Sequence, residues 1–303
     1  MKPLSPQEAQ VTATFSRRMM LRLENSSTVD ARIKGKKLRP VCGDRVEAEA
    51  IAGESEWLIT AIRPRDNELT RPDNRGRKEV LAANLSCVVV MAATEPEPDW
   101  FIVDRYIAAA ENMGVKALVV FNKSDLSKDP QPASGPLADY VAAGYVVIRC
   151  SAESGQNLEL LKEALGGETA IIVGQSGVGK SSVINQIVHD AEQRIGALSS
   201  SSREGRHTTV NSIMLDLPGE GRVIDSPGVR DYAPAIDTEE EVICGFREIN
   251  DAGLDCRFAN CRHLREPDCA VKSAVDDGRI SARRYESYKR LMVLTRNLAE
   301  RRR

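Results

Sequence analysis

Residues 169–188 read TAIIVGQSGVGKSSVINQIV, and this stretch constrains the fold more than any other. An apolar, β-branched run at 170–173 leads into GQSGVGKS at 174–181, which fits G-x-x-x-x-G-K-[ST]; helical sequence follows to Val188. Such a strand–loop–helix corner belongs to a helix-flanked parallel sheet. The glycines let the backbone wrap a phosphate with several N–H groups pointing inward, at the positive end of a helix. The candidate cradle is Gly174, Gln175, Ser176, Gly177, Val178, Gly179, Lys180, Ser181 and Ser182. Lys180 would reach the β- and γ-phosphates and take part in catalysis, and the Ser181 hydroxyl would ligate Mg²⁺. The competing reading, a plain glycine turn, does not explain the strand and helix on either side.

The surrounding pattern predicts α/β structure. Cys87–Met91, Leu118–Phe121, Tyr145–Ile148, Val210–Leu215 and Val223-Ile224 read as strands, with helical sequence such as 158–165 between them. Residues 9–62 read instead as short strands separated by turns at Gly35, Gly43-Asp44 and Gly53, which suggests a small barrel. Two prolines and many charges make 63–79 read as a linker, and beyond 238 the chain turns helical. The expected organisation is a barrel with linker over 1–79, a nucleotide-binding α/β domain over 80–237 and a helical, metal-binding domain over 238–303.

Charge narrows the functions available. Lys and Arg number 42 against 44 Asp and Glu, a net charge of −2, so the chain is not a uniformly basic nucleic-acid binder. Basic residues nevertheless concentrate at 32–39, 63–78 and 279–303, and local patches can grip phosphates without a basic isoelectric point. Solvated surface is the alternative reading of the same charges. No run of about 18 apolar residues occurs, so no membrane span is expected. The opening MKPLSPQEAQ lacks the apolar centre of a secretory signal, and a cytoplasmic protein is expected.

Two further loops specify the base. Asn122-Lys123-Ser124-Asp125 follows an apolar strand and resembles the guanine-reading N-K-x-D motif of GTPases, in which the Asp125 carboxylate would accept from guanine N1 and N2. Ser151-Ala152, after the next strand, resembles the loop that supports the base from its O6 side. Adenine does not offer the same donors, so GTP is favoured over ATP.

The order of these motifs is unusual. GTPases ordinarily place the phosphate loop first; here 122–125 and 151–152 precede 174–181, followed by the switch-like GRHTT at 205–209 and DSPG at 225–228. The order is circularly permuted, which leaves 238–303 attached just beyond the loop that senses the γ-phosphate. By resemblance, Thr208 or Thr209 would bind Mg²⁺, with Thr209 preferred. Asp225 would hold the metal through a water, and the Gly228 N–H would touch the γ-phosphate. Val229 stands where many GTPases carry a water-orienting Gln, so His207 is the candidate for that task. A loop histidine without a role is the alternative.

Cys256, Cys261, His263 and Cys269 form C-x4-C-x-H-x5-C, a soft ligand set for one closed structural zinc site. So short a segment would take folding energy from the metal. Cys42, Cys87, Cys150 and Cys244 read as buried or half-buried thiols.

Taken together, the permuted order, GRHTT, DSPG followed by Val, the Cys/His cluster and the leading barrel resemble the ribosome small-subunit-dependent GTPase A family. The segments RIKGKKLRPVCGD and IRPRDNELTRP fit its barrel end, which the resemblance implies to be an OB-like β-barrel. The resemblance implies GTP hydrolysis stimulated by the 30S subunit and 16S rRNA, late in subunit maturation, with one zinc site and Mg²⁺ bound alongside GTP. A monomer is expected. Two other readings are a GTPase of the large subunit and a non-hydrolysing RNA adaptor; intact Lys180, Ser181 and Asp225 weigh against the second.

Overall fold

The computed structural model describes residues 6–16, 18–35, 37–72, 78–127, 135–188, 210–226, 234 and 236–301. The first strands are β1 (Gln7–Phe15), β2 (Met19–Leu23), β3 (Thr28–Ile33), β4 (Arg45–Ala50) and β5 (Trp57–Ile62). Then come β6 (Glu68–Pro72), β7 (Lys78–Ala83), β8 (Cys87–Ala93), helix α1 (Trp100–Met113), β9 (Lys116–Asn122), α2 (Pro136–Ala142) and β10 (Val146–Arg149). They are followed by α3 (Leu158–Ala164), β11 (Thr169–Gly174), α4 (Lys180–Ile187), β12 (Val210–Asp216) and β13 (Arg222–Asp225). The last elements are α5 (Glu239–Cys244), α6 (Arg247–Gly253), α7 (Ala270–Asp276) and α8 (Ala282–Arg301). Among the described residues no helix is long and apolar enough to cross a membrane.

Tertiary contacts sort the chain into two compact units that interleave in sequence. The first comprises Met1–Ser86, Leu158–Ile172 and Lys180–Tyr232. In it β1, β2, β3, β5 and β4 pair in that order and β4 returns to β1, closing a five-stranded barrel. Val11, Leu21, Ala31, Val46, Ala48 and Ile59 are fully buried inside. In β4, RVEAEA, only Val46 and Ala48 face inward, so the strand looks polar in sequence and escapes a search for apolar runs. Along its edge away from β2, β1 serves two neighbours: Gln7–Gln10 pair with β4, whereas Ala13–Phe15 pair with β12. β12 runs antiparallel to β13, and β13 parallel to β11.

The segment read as a linker, 63–79, is largely structured: β6 and β7 form an antiparallel hairpin. Among the described residues, its arginines Arg63, Arg65 and Arg71 are spent on internal pairs. Arg65 donates to both oxygens of the fully buried Asp44, at 2.7 and 2.9 Å, and also to Glu68. Asp44 accepts in addition from the Val41 N–H at 2.8 Å. The VCGD and IRPR segments thus meet as one joint. Gly43 beside it is held at φ +94 with the Ala83 carbonyl so close that a Cβ would stand 2.1 Å from its oxygen.

The second unit comprises Cys87–Asn157, Val173–Gly179 and Ala233–Arg303. Strands β10, β9 and β8 lie parallel in that order, and β8 (CVVVMAA) is buried at every position, as a central parallel strand must be. Asp99 caps α1, its carboxylate accepting from the N–H groups of Phe101 and Ile102. Helices α5–α8 bury Val242, Phe246, Ile249, Val271, Tyr288 and Met292 in a core that also takes Ala108 of α1. Gly245 permits this approach, since a Cβ there would stand 2.6 Å from that of Ala108.

Candidate nucleotide site and metal centre

The phosphate loop and the guanine motif are tied together within the second unit. Asn122 is 1% exposed; its Nδ2 donates to the Val178 carbonyl at 2.9 Å and its Oδ1 accepts from the Ala152 N–H at 3.0 Å. One side chain therefore joins all three candidate loops. Lys123, in the left-handed region at φ 58, sends its ammonium to the Gly177 carbonyl at 2.9 Å. The glycines answer to this crowding. Gly179 has φ +90 and a Cβ would stand 2.4 Å from Asn122 Nδ2; Gly174 has φ +137 and would meet the Met91 carbonyl oxygen at 2.2 Å.

The base loops are ordered by their own bonds. Ser124 N–H donates to Cys150 C=O at 3.0 Å, and the Ser124 hydroxyl to Gln156 at 3.2 Å. Ser151 is buried and its Oγ accepts from the Ser154 N–H at 3.1 Å. Asp125 stands exposed at the loop surface, where a ligand can reach its carboxylate. Sequence reasoning missed one contact here: the Asp99 N–H donates to Gln175 Oε1 at 3.1 Å, fastening the start of α1 to the phosphate loop. The signal was an Asp directly before the apolar WFIV.

In the first unit, Lys180 opens α4 and Ser181 and Ser182 are exposed on its first turn. Asp225 closes β13, paired across to Ile213 of β12, and the Ser212 hydroxyl donates to Ser226 Oγ at 2.9 Å just beyond it. His207, Thr208, Thr209 and Gly228 lie outside the described residues.

The four predicted metal ligands converge. One donor atom from each of Cys256, Cys261, His263 and Cys269 falls within a 4.8 Å span. His263 Nδ1 lies 3.5 Å from Sγ of both Cys256 and Cys269, and those two sulfurs are 3.9 Å apart. Metal–sulfur bonds of about 2.3 Å and metal–nitrogen bonds of about 2.0 Å in a tetrahedron require sulfur–nitrogen and sulfur–sulfur separations of roughly 3.5 and 3.8 Å. The separations among Cys256, His263 and Cys269 match these, and the four residues could hold a metal ion. Burial pushes the Cys261 thiol up to about 12 and holds His263 below its ordinary value, so a bound cation would supply the drive to deprotonate Cys261. The loop is shaped by Glu266, whose carboxylate accepts from the N–H groups of Arg262, Leu264 and Arg265. Burial alone would raise Glu266, but these backbone donors draw it down to about 2.

Two expectations change. Cys42, Cys87 and Cys150 are buried, but Cys244 is exposed: it lies two residues, about 200° of helix, from the buried Val242. The basic helix α8 also turns part of its charge inward. Arg284 is 1% exposed and bound to Asp104 and Glu248, Arg283 reaches Asp104 and Asp139, and Arg296 pairs with Glu239.

An α/β fold behind a β-barrel, with its phosphate loop downstream of its guanine loop and bonded to it, defines a circularly permuted GTPase. A family model described as RsgA GTPase matches residues 62–234. The small ribosomal subunit biogenesis GTPase RsgA proteins of Pseudomonas fluorescens and Azotobacter vinelandii are each 41% identical over 255 residues, 84% of this chain and 74% of theirs. The crystal structure of YjeQ from Thermotoga maritima matches at TM-score 0.72 and 27% identity, covering 96% of this chain and 98% of that one. That of YloQ, a circularly permuted GTPase, matches at 0.72 and 25%, covering 96% of each. The chain belongs to the RsgA GTPase family and is a GTP hydrolase, converting GTP to GDP and phosphate.

Proposed function

We propose that this chain binds the 30S ribosomal subunit through 16S rRNA in the cytoplasm, acts as a monomer late in subunit maturation, and leaves after hydrolysing GTP. The ribosomal role is carried by relatives that are named for small-subunit biogenesis and are 41% identical over 255 aligned residues. The observation that carries the nucleotide chemistry is the bonding of Asn122 and Lys123 to the backbone of the phosphate loop, which preorganises base and phosphate recognition together.

Within this reading, 1–79 is the RNA-binding barrel, 80–237 the permuted GTPase domain and 238–303 the zinc-binding helical domain. Asp125 reads guanine with Asn122 and Lys123, while Ser124, Ser151 and Ala152 shape the base pocket. Residues 174–182 and Gly228 hold the phosphates, with Lys180 meeting charge that develops on the γ-phosphoryl group. Ser181, Thr208 or Thr209, and Asp225 would hold Mg²⁺, which supplies charge neutralisation between the β- and γ-phosphates. His207 orients the attacking water, since Val229 offers no polar group for it. Cys256, Cys261, His263 and Cys269 hold Zn²⁺ with no open position, so that metal shapes the domain and stays out of the reaction.

Barrel loops and exposed basic side chains would meet rRNA phosphates, so affinity should fall steeply with salt. The deciding experiment compares GTP turnover of the purified chain alone, with 30S and with 50S subunits at equal concentration. Strong stimulation by 30S alone is expected. Equal rates in all three would leave the GTPase and remove the ribosomal partner.

A further inference from the structure

We infer that Asp104, Arg283 and Arg284 are positioning residues that couple the Cys/His metal loop to the nucleotide loops, so that a change at the metal loop alters nucleotide affinity. None of the three belongs to a GTPase motif or to the metal ligand set. All the groups involved lie in the second unit.

The cluster is built around the carboxylate of Asp104, which α1 carries to a site with no solvent exposure. Its Oδ1 accepts from Arg284 at 2.8 Å and from the Tyr140 hydroxyl at 2.8 Å, and its Oδ2 from Arg283 at 3.0 Å. Arg283 also donates to Asp139 of α2 at 2.7 Å. Arg284 forms a two-pronged pair with Glu248 of α6 at 2.7 and 2.9 Å, and its guanidinium lies 4.8 to 5.7 Å from the ring centres of Phe246, Tyr140 and Tyr145. Burial alone would depress Arg284, but Asp104 and Glu248 keep it well above its ordinary value. Its positive charge is permanent and permanently paired.

Such a cluster is a poor way to gain stability, because well-packed apolar residues often serve equally well or better. Its distinctive property is directional. Two guanidinia and three carboxylates accept one arrangement of α1, α2, α6 and α8, where an apolar contact would tolerate sliding.

What those helices touch gives the arrangement its consequence. On the turn of α8 adjoining the two arginines, the Tyr285 hydroxyl donates to the carbonyl of the metal ligand His263 at 2.6 Å. The Tyr288 hydroxyl donates to the Arg262 carbonyl at 2.7 Å. At the other end, α1 begins at Asp99, whose N–H holds Gln175 of the phosphate loop. α2 leads through β10 to Ser151-Ala152. The metal loop, α8, Asp104, α1 and the phosphate loop therefore form one bonded series. A bonded series is not itself a coupling energy, which must be measured between its ends.

The inference rests on the reading that residues 174–181 hold the nucleotide. The test is a double-mutant cycle on the full-length, metal-loaded chain, read as affinity for a fluorescent GDP analogue. Tyr285→Phe releases the metal loop with loss of one hydroxyl, and Asp104→Asn removes the central charge at constant volume. Each single variant should weaken the analogue on the order of tenfold. The double variant should be no weaker than the worse single one, and metal content should stay at the wild-type level. If Asp104→Asn does not fold, Glu248→Gln takes its place in the same cycle. Losses that multiply, or single variants that melt earlier yet bind the analogue normally, would overturn the coupling and leave a structural joint. A wild-type chain that fails to bind the analogue would overturn the nucleotide reading and the coupling with it.

Discussion

Asn122→Asp separates the two tasks of the asparagine by changing one group. Volume and Oδ1 are kept, so the Ala152 N–H retains its acceptor, but the Nδ2 donor to the Val178 carbonyl becomes an oxygen. Two oxygens would then face each other across 2.9 Å in a site 1% exposed. Losing a buried hydrogen bond and leaving its acceptor unsatisfied costs about 1–3 kcal/mol. Ionising a carboxylate there costs more, so the new carboxyl takes up a proton at a pH well above its ordinary range. Protonated, it can again donate to Val178.

The sign of the pH dependence follows. The folded variant holds this proton more tightly than the unfolded chain, so its stability is greatest in acid and falls as pH rises through the folded value. Near neutral pH, a deficit of about 2–3 kcal/mol corresponds to a loss of roughly 5–10 °C in melting temperature without nucleotide. If the loss of preorganisation carries through to binding, GDP affinity falls by roughly 30- to 140-fold. Thermal melts of the nucleotide-free protein and titrations with a fluorescent GDP analogue, at pH 5.5 and 8, measure both. The deficit should shrink at the lower pH. A nucleotide-free melting temperature equal to wild type, with an affinity loss that ignores pH, would mean that Asn122 serves the base alone and that its bond to the phosphate loop carries no energy.

Four further outcomes are expected. Gly245→Ala forces a methyl to within 2.6 Å of the Ala108 Cβ, and this overpacking should cost about 1–3 kcal/mol in thermal unfolding. Arg65→Met strands the buried Asp44 and should cost about 3 kcal/mol, with Arg65→Met/Asp44→Asn costing less than the single change. Glu266, held at about 2, stabilises the metal loop above its unfolded value near 4.3 and loses that contribution as pH falls towards 2; Glu266→Gln should flatten this acid limb of the unfolding profile. Chelation under denaturing conditions should release about one zinc ion per chain, and Cys261→Ser should retain much less.

How much of this was legible depended on whether function is written locally. The phosphate loop, NKSD and the Cys/His cluster stand out because each task is performed by neighbours within a few residues, and the four metal ligands do converge within a 4.8 Å span. The same locality exposed β8, whose continuous apolar run has no other use than a buried parallel strand. β4 was hidden by its outward Arg45 and Glu47, and the hairpin of β6 and β7 by charges that read as solvated linker but pair across strands, as Arg71 does with Glu79. The cluster at Asp104 was the least legible. Arg283 and Arg284 sit in a basic, amphipathic helix, and their partner lies about 180 residues earlier.

That last failure changes how the basic C-terminal helix is to be read. A count of arginines over 279–303 treats every charge as free to meet RNA, yet Arg283, Arg284 and Arg296 are bound to carboxylates of their own chain. The exposed cations near the metal loop are better candidates: the side chains of Arg257 and Arg262 are 67% and 55% exposed, although each already faces an acid, Asp268 and Glu239. An exposed pair such as Arg257–Asp268 contributes about 0–1 kcal/mol and is easily exchanged for phosphate contacts, and Arg262 shares Glu239 with Arg296, whereas the pairs of Arg283 and Arg284 with the buried Asp104 are not exchanged in this way. On the proposed 30S role, the RNA-facing charge of residues 238–303 is expected at the metal loop, and Arg257→Ala/Arg262→Ala should lower 30S affinity and the steepness of its salt dependence, with Arg284 changes acting on nucleotide affinity instead.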